Sequence, residues 1–414
     1  MRSSTPSTRS PCGDSMELAY RRELERVWHA VDLGRMVEIL KALVRVPSVN
    51  PPGETAEAAG VLQRHLEEVG FHGFQRVEPS PGKVSLVARW GSPGGRRLIW
   101  NGHLDVVPVG DAEAWQHAPF SGEQEGDRIF GRGACDMKGA FAALLGAVAA
   151  IQEAGFQTEG EVVVQAVADE EMLGPLGTGY LVEHLPVEAD AAICGEPTGL
   201  VPVIAAKGLQ WWKFVARGAS CHASAPHLGV NAVEKLLDFL GALRQIPLDR
   251  IHPLVGRPTL AITMISGGIK ENVIPDYAEA IADRRVVPGE DPEEFRRQVR
   301  ALVEEFCARN RDVRVEATVV QEAAPSEVPA DAPIVRICQR VARAVLGQEV
   351  APAGIPGTTD ARFLINRARI PTCILGPGGL EQAHTRDEYI SLDQLVRGAR
   401  VYAGVLCEFL GIRG

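Results

Sequence analysis

Acids and imidazoles recur along this chain where apolar runs end. Leu98-Ile-Trp100 reads as a buried strand and runs into Asn101-Gly-His-Leu-Asp105. With a strand period of two, the side chains of His103 and Asp105 leave the same face at the strand's C-terminal end. Downstream, Gly131-Arg-Gly-Ala-Cys-Asp136-Met-Lys-Gly139 places an aspartate in a glycine-rich loop directly before an alanine-rich helical run. The β-branched run Glu161–Val167 ends in Asp169-Glu170-Glu171, Ala189–Cys194 runs into Gly195-Glu196, and His384 stands in the late glycine-rich loop Gly376–His384. The C-terminal rim of an open α/β sheet is where such folds place ligand chemistry. Imidazole plus carboxylates on one rim is the donor set of a Zn²⁺ site.

Taken singly, each residue has an ordinary explanation. A strand-end histidine is more often structural, Glu170-Glu171 suits a solvated turn, and Glu196 before Pro197 suits a helix cap. The joint pattern weakens those explanations, because the acids fall at strand ends or, for Asp136, at a helix start. Convergence would build a two-metal site about 3.5–4 Å across, with one bridging carboxylate and water acidified by the metals. A carboxylate beside the metals that is not a ligand could carry the water's proton to the leaving nitrogen.

The elements that must position these groups alternate along the chain. A helix is expected over Glu17–Val46 and another over Thr55–Val69. Strands follow at Val84–Trp90 and Leu98–Trp100, then the helix Lys138–Glu153 and the strands Glu161–Val167 and Ala189–Cys194. That rhythm predicts an α/β domain with a mostly parallel sheet. After Lys207 the order becomes strand Gln210–Arg217, helix Asn231–Gln245, strands Thr259–Ile265 and Tyr277–Arg285, helix Pro292–Arg309 and strand Val313–Gln321. That is the βαββαβ unit of ferredoxin-like folds, read as an inserted domain. The expected division is a disordered tail over 1–15, a discontinuous catalytic domain over 16–207 and 326–414, and an inserted domain over 208–325.

At 414 residues, 45% hydrophobic and 23% charged, the chain is long enough for two cored domains of ordinary globular composition. A formal net charge of −10 speaks against a nucleic-acid partner. No apolar run looks long enough to span a membrane. Eight cysteines without a C-x-x-C pair suggest free thiols in a reducing compartment, and a cytoplasmic location is expected. Cys135 and Cys221 sit beside candidate site residues but read as small core thiols. Gly131-Arg-Gly lacks the spacing of a phosphate-binding loop, which removes nucleotide chemistry.

The motifs now carry a resemblance. Gly102-His-Leu-Asp-Val-Val-Pro108, Trp115–Phe120, Gly131–Gly139, Asp169-Glu-Glu-Met-Leu-Gly174 and Gly195-Glu-Pro-Thr198 are similar, in order, to those of the M20 family of zinc amidohydrolases and peptidases. So are Asn272-Val-Ile-Pro275, Gly357-Thr-Thr-Asp-Ala361 and Gln382-Ala-His-Thr-Arg-Asp-Glu-Tyr389. The resemblance implies two Zn²⁺ per subunit, with Co²⁺ or Mn²⁺ able to substitute. It implies Asp136 as the bridging ligand, His103 and Glu196 on one metal, and Glu171 and His384 on the other. Asp105 would orient His103, and Glu170 would be the general base. The inserted domain would be a lid through which a homodimer forms, with His222 reaching the partner subunit's active site to stabilise an oxyanion. Arg285 would hold a substrate carboxylate, and Asn272, Thr358 and Thr359 would line the pocket; His227 reads as a surface residue. The activity implied is hydrolysis of the amide bond of an N-acyl amino acid, of the deacetylase or desuccinylase type. The alternatives are a dipeptidase or carboxypeptidase of the same family and, more remotely, a catalytically inactive binding homologue. The partner expected is a small molecule, with neither nucleic acid nor membrane.

Overall fold

Four adjacent parallel strands decide where the chemistry can lie. In a computed structural model describing residues 20–414, Glu161–Val167, Arg97–His103, Ala191–Cys194 and Thr372–Ile374 lie side by side at the middle of a nine-stranded sheet. All seven residues of Glu161–Val167 are buried, as are those of Arg97–His103 after Arg97. Burial on both faces is why these segments read as unbroken apolar runs. The register pairs His103 with Val167 and Asn101 with Cys194, so the C-terminal ends of neighbouring strands stop together. His103, the Asp169–Glu171 turn and Gly195-Glu196 therefore emerge on one rim.

At the margins His72–Ser80 and Lys83–Gly91 run antiparallel on one side, and on the other Val203–Ala206 pairs antiparallel with Ser326–Glu327 and parallel with Ala353–Ile355. The expected mostly parallel sheet is thus parallel where the site lies and mixed at its margins. His72–Ser80 was not foreseen. It is a largely exposed edge strand containing glycine and proline, the composition of a protected edge.

Helices cover both faces. Gly139–Glu153 packs between Leu33–Val44 and Leu392–Leu410, and Trp100 reaches from the sheet to meet Phe141 and Tyr402 edge-on at 4.9 and 5.8 Å. The expectation about membrane-length runs needs correction. Ala134–Glu153 spans 20 residues with a mean hydropathy of 1.5, long and apolar enough to cross a membrane, but its apolar stretch is wholly buried as the core helix of this fold. The expected helix over Glu17–Val46 is two, Arg21–His29 and Leu33–Val44. Asp32 breaks it by taking extended backbone and capping the second helix, its side chain accepting from Arg35 N at 3.3 Å. The tail 1–15 lies outside the described residues.

Between Gly208 and Ala323 the chain leaves the central sheet. Four antiparallel strands in the order Thr259–Gly267, Tyr277–Val286, Gly208–Arg217, Arg314–Ala323 carry the helices Ala232–Leu243 and Pro292–Arg309 on one face. A separate core forms there around Trp212, Phe214, Phe239 and Phe295. Trp211, on the opposite face, is half-buried and donates to Asp283 Oδ2 at 2.9 Å.

Candidate metal centre

One carboxylate faces two imidazoles from opposite sides. Asp136 Oδ1 lies 3.1 Å from His103 Nε2, and Asp136 Oδ2 lies 3.3 Å from His384 Nε2. Each imidazole nitrogen also faces a second acid: Glu196 Oε2 at 3.8 Å from His103, and Glu171 Oε2 at 3.5 Å from His384. Ligand atoms of His103, Asp136 and Glu171 fall within 4.8 Å of one another, as do those of His103, Glu170 and Glu196. Of the seven acids and imidazoles expected on one rim, six meet in these groups, and the seventh, Asp105, lies against His103. Glu170 belongs to the second of these groups, with His103 and Glu196.

Of the supports, Asp105 was expected, whereas Asn50 and Glu388 were not singled out in the sequence. His103 Nδ1 donates to the main-chain oxygen of Asp105 at 2.8 Å, which leaves Nε2 free as a ligand atom. The Asp105 carboxylate is 3.8 Å from that ring and holds something else. It accepts from the backbone N–H groups of Glu170 and Glu171, each at 3.2 Å, and from Asn50 Nδ2 at 2.8 Å. Asp105 therefore orients His103 with its carbonyl and the acidic turn with its side chain. Glu388, fully buried, accepts from Cys135 N at 2.9 Å and Asp136 N at 3.0 Å and pairs with Arg132 at 2.5 Å. It fixes the backbone of Asp136. Its signal was present as the acid three residues before Ser391 in a histidine-bearing motif, but an acid followed by tyrosine reads as surface until its burial is known.

Burial and charge set the protonation of this cluster. His384 is pushed up to about 10 by its contacts with Asp136 and then Glu171. For His103, burial opposes the charge, but hydrogen bonds to Asp136 and Glu196 outweigh it and hold the imidazole well above its usual value. Asp136, although buried, is held below the carboxylate range by the same two imidazoles. Burial, then the charge of Glu196, pushes Glu170 well above the ordinary range, and burial also raises Glu171 and Glu196.

The donor set fits a pair of divalent cations. Four carboxylates meet only two imidazoles, and Glu171 Oε1 and Glu196 Oε1 are buried without any hydrogen-bond partner. Buried carboxylate oxygens left unpaired are costly, and cations between these groups would satisfy them. Cations must also compete with protons for these imidazoles, both of which the neighbouring acids hold above the usual histidine value. Metal binding to the metal-free protein at neutral pH is therefore expected to release at least about one proton per chain, and affinity should rise about tenfold per pH unit for each proton released. Calorimetric titrations in buffers of different ionisation enthalpy measure that release directly.

Cys135 is no part of the donor set. Burial first, then Glu388, pushes its thiol up, and its sulfur faces Gly379 O at 3.5 Å.

The model of peptidase family M20/M25/M40 matches residues 99–408, most of the chain. The chain belongs to that family. Succinyl-diaminopimelate desuccinylase of Paracoccus denitrificans is 33% identical over 386 residues, covering 89% of this chain and 97% of that protein. Acetylornithine deacetylase of Vibrio atlanticus is 32% identical over 376 residues, covering 88% and 95%. Among solved structures, human carnosine dipeptidase 1 superposes with a TM-score of 0.74 at 18% identity, over 94% of this chain and 98% of that one.

In this M20-family chain the histidine and asparagine expected in the lid are exposed on a short ribbon. His222 lies on the two-stranded ribbon Cys221–His222/Val273–Ile274, is exposed, and contacts Ser224 Oγ at 2.8 Å. Asn272 is exposed on the same ribbon, and its main-chain oxygen accepts from Ala223 N. His227 is exposed too. Strand alternation separates the two arginines. Arg284 is buried, pairs with Glu290 at 2.9 Å and lies over Phe295, whereas Arg285 points to the other face and forks onto Asp283 at 2.8 and 3.0 Å. Thr358 and Thr359 stand at the turn before helix Ala361–Asn366, and both hydroxyls are buried without partners.

Proposed function

We propose that this protein removes the acyl group from N-acylated amino acids by metal-assisted amide hydrolysis. The observation that carries the reading is Asp136, whose two oxygens face two opposed imidazoles with Glu170 beside them. Asp136 would bridge, His103 and Glu196 would hold one cation, and Glu171 and His384 the other. Zn²⁺ suits these nitrogen and oxygen donors, and Co²⁺ or Mn²⁺ would fit the same set. Such cations acidify a water and polarise the scissile carbonyl.

The chain's own residues do the rest. Glu170 takes the proton of the attacking water and returns it to the departing amine, so one carboxyl acts as base and then as acid. Burial and the Glu196 charge, which favour its protonated form, suit it to the second step. Arg285, with its planar fork, would hold the substrate's free carboxylate, exchanging Asp283 for it. The unpartnered hydroxyls of Thr358 and Thr359 are donors for the other side of the pocket. His222 lies too exposed to act within its own subunit, which supports a homodimer in which it serves the partner's site. The edge strand Thr259–Gly267 and the turn after it offer a matching surface, with Met264, Ile265 and Ile269 at 66%, 52% and 90% exposure. The free cysteines among the described residues support a cytoplasmic setting.

Curated relatives named as deacylases align over nearly the whole chain, which favours an acyl group over a peptide as the portion removed. A panel of N-acetyl, N-succinyl and dipeptide substrates, offered to the zinc-loaded protein, tests this. Turnover confined to one acyl class is expected. Turnover of dipeptides alone would replace the deacylase by an exopeptidase, and none at all with bound metal would sink both.

A further inference from the structure

The turn that carries Glu170 and Glu171 is not held by core packing. It leaves strand Glu161–Val167, bends through Asp169, Leu173 and Gly174, all with positive φ (72°, 69° and 62°), and enters helix Thr178–His184. Behind it lies a cavity of about 420 Å³ lined in part by Met172, Leu173, Gln210, Gln321, Arg362 and Phe363. Polar contacts hold the turn on that side.

They come from the Gly357–Arg362 segment, a motif the catalytic cluster does not use. Arg362, 5% exposed, donates through Nη2 to Leu173 O and through Nη1 to Thr359 O at 3.1 Å. Asp360, 1% exposed, accepts from Thr178 Oγ1 at 2.7 Å, and its other oxygen is unpartnered except for Arg362 at 3.9 Å. That second oxygen lies 2.0 Å from where a Cβ on Gly174 would stand, so only glycine lets the turn close over it. Thr178 in turn accepts from Asn101 Nδ2 at 2.9 Å, on the strand that ends in His103.

We propose that Asp360, Thr178 and Arg362 form a clamp that sets the position of Glu170 and Glu171 relative to His103. They are positioning residues, since none touches the reacting atoms. The clamp is one continuous buried chain, Asn101–Thr178–Asp360–Arg362–Leu173, which ties the His103 strand, the acidic turn and the C-terminal segment together. Asp105 grips the turn from the inner side at Glu170 N and Glu171 N, and the clamp grips it from the outer side at Leu173 and Thr178. A network of this kind acts as a unit, and removing one member leaves another buried group unpaired.

Its role in catalysis rests on the reading of Glu170 as base, but the clamp itself is measured without substrate. The variants are Thr178→Val, which keeps shape and loses the hydroxyl, Thr178→Ser, which restores it, and Asp360→Asn. Hydrogen exchange of the metal-free protein is expected to quicken at residues 170–177 in Thr178→Val and Asp360→Asn while Glu161–Val167 keeps its protection. In the metal-loaded enzyme kcat should fall about ten- to a hundredfold with KM within about twofold, as displacement of a catalytic group predicts. Thr178→Ser should return both readouts towards wild type. Unchanged exchange in 170–177, exchange that quickens everywhere alike, or failure of serine to rescue would each overturn the clamp. Local quickening in a protein that hydrolyses no acyl amino acid would keep the clamp and discard the deacylase.

Discussion

Glu170→Gln is expected to leave the protein folded and metal-loaded while kcat falls by about 10²–10⁴-fold, with KM little changed. The size follows from what the residue does. General acid–base catalysis by a positioned carboxyl contributes about 10²–10⁴ in rate, and here a single group serves both transfers. Glutamine keeps the length and the buried volume, so the Asp105 contacts to the backbone N–H groups of residues 170 and 171 remain. It also keeps neutral a position where burial first, and then the Glu196 charge, favours the protonated carboxyl, so the variant should unfold no more easily than wild type. A fall in kcat at constant KM marks loss of an interaction made on the way to the transition state. The measurement is steady-state kinetics on the best substrate of the panel, alongside elemental analysis. A variant that keeps more than a tenth of wild-type kcat would remove Glu170 from the mechanism. One that loses its metals would make it a ligand instead.

Much of this centre was legible in the sequence, and the reason is geometric. Parallel strands buried on both faces produce apolar runs, and the register that aligns their ends is imposed by that burial. A polar residue just past such a run must therefore stand on the rim. His103, Glu170, Glu171 and Glu196 were found that way. Asp136 was marked by glycine on its N-terminal side and by an alanine-rich helix beginning after it. What stayed hidden were partners that only folding brings together. Asn50 reaches Asp105 across 55 positions of chain, and Glu388 holds Asp136 across 252. No local pattern distinguishes these from surface polar residues. The break at Asp32 and the exposed strand His72–Ser80 were missed for the opposite reason, because weak local signals were settled by capping and edge pairing. The lid shows a further limit. Alternation along Gly208–Arg217 places Trp211 and Trp212 on opposite faces, but no local rule says what the exposed His222 serves.

Asp136→Asn should empty the centre. Asparagine matches the shape, and its backbone N–H still reaches Glu388, so the turn is kept. Its amide cannot supply two anionic oxygens, and its NH₂ turns a donor towards one of the imidazoles that Asp136 faces at 3.1 and 3.3 Å. Losing an outer partner of a metal ligand costs about 10–100-fold in affinity, and loss of the shared ligand should exceed about 100-fold. Metal content by elemental analysis and activity should fall together. A second readout needs no metal. In the metal-free wild type, Asp136 is the first cause holding His384 at about 10, with Glu171 next, so NMR titration of the variant should find that imidazole nearer its ordinary 6.5. The sign for stability follows from both partners. A raised imidazole contributes fully below its unfolded value of about 6.5 and loses the contribution as pH rises through about 10. The depressed Asp136 contributes above the ordinary carboxylate range and loses its share as pH falls below it. The metal-free variant should therefore be less stable than metal-free wild type around pH 6, with the gap closing towards both extremes. A variant that binds two cations normally, or whose His384 still titrates near 10, would show that Asp136 is not the bridge.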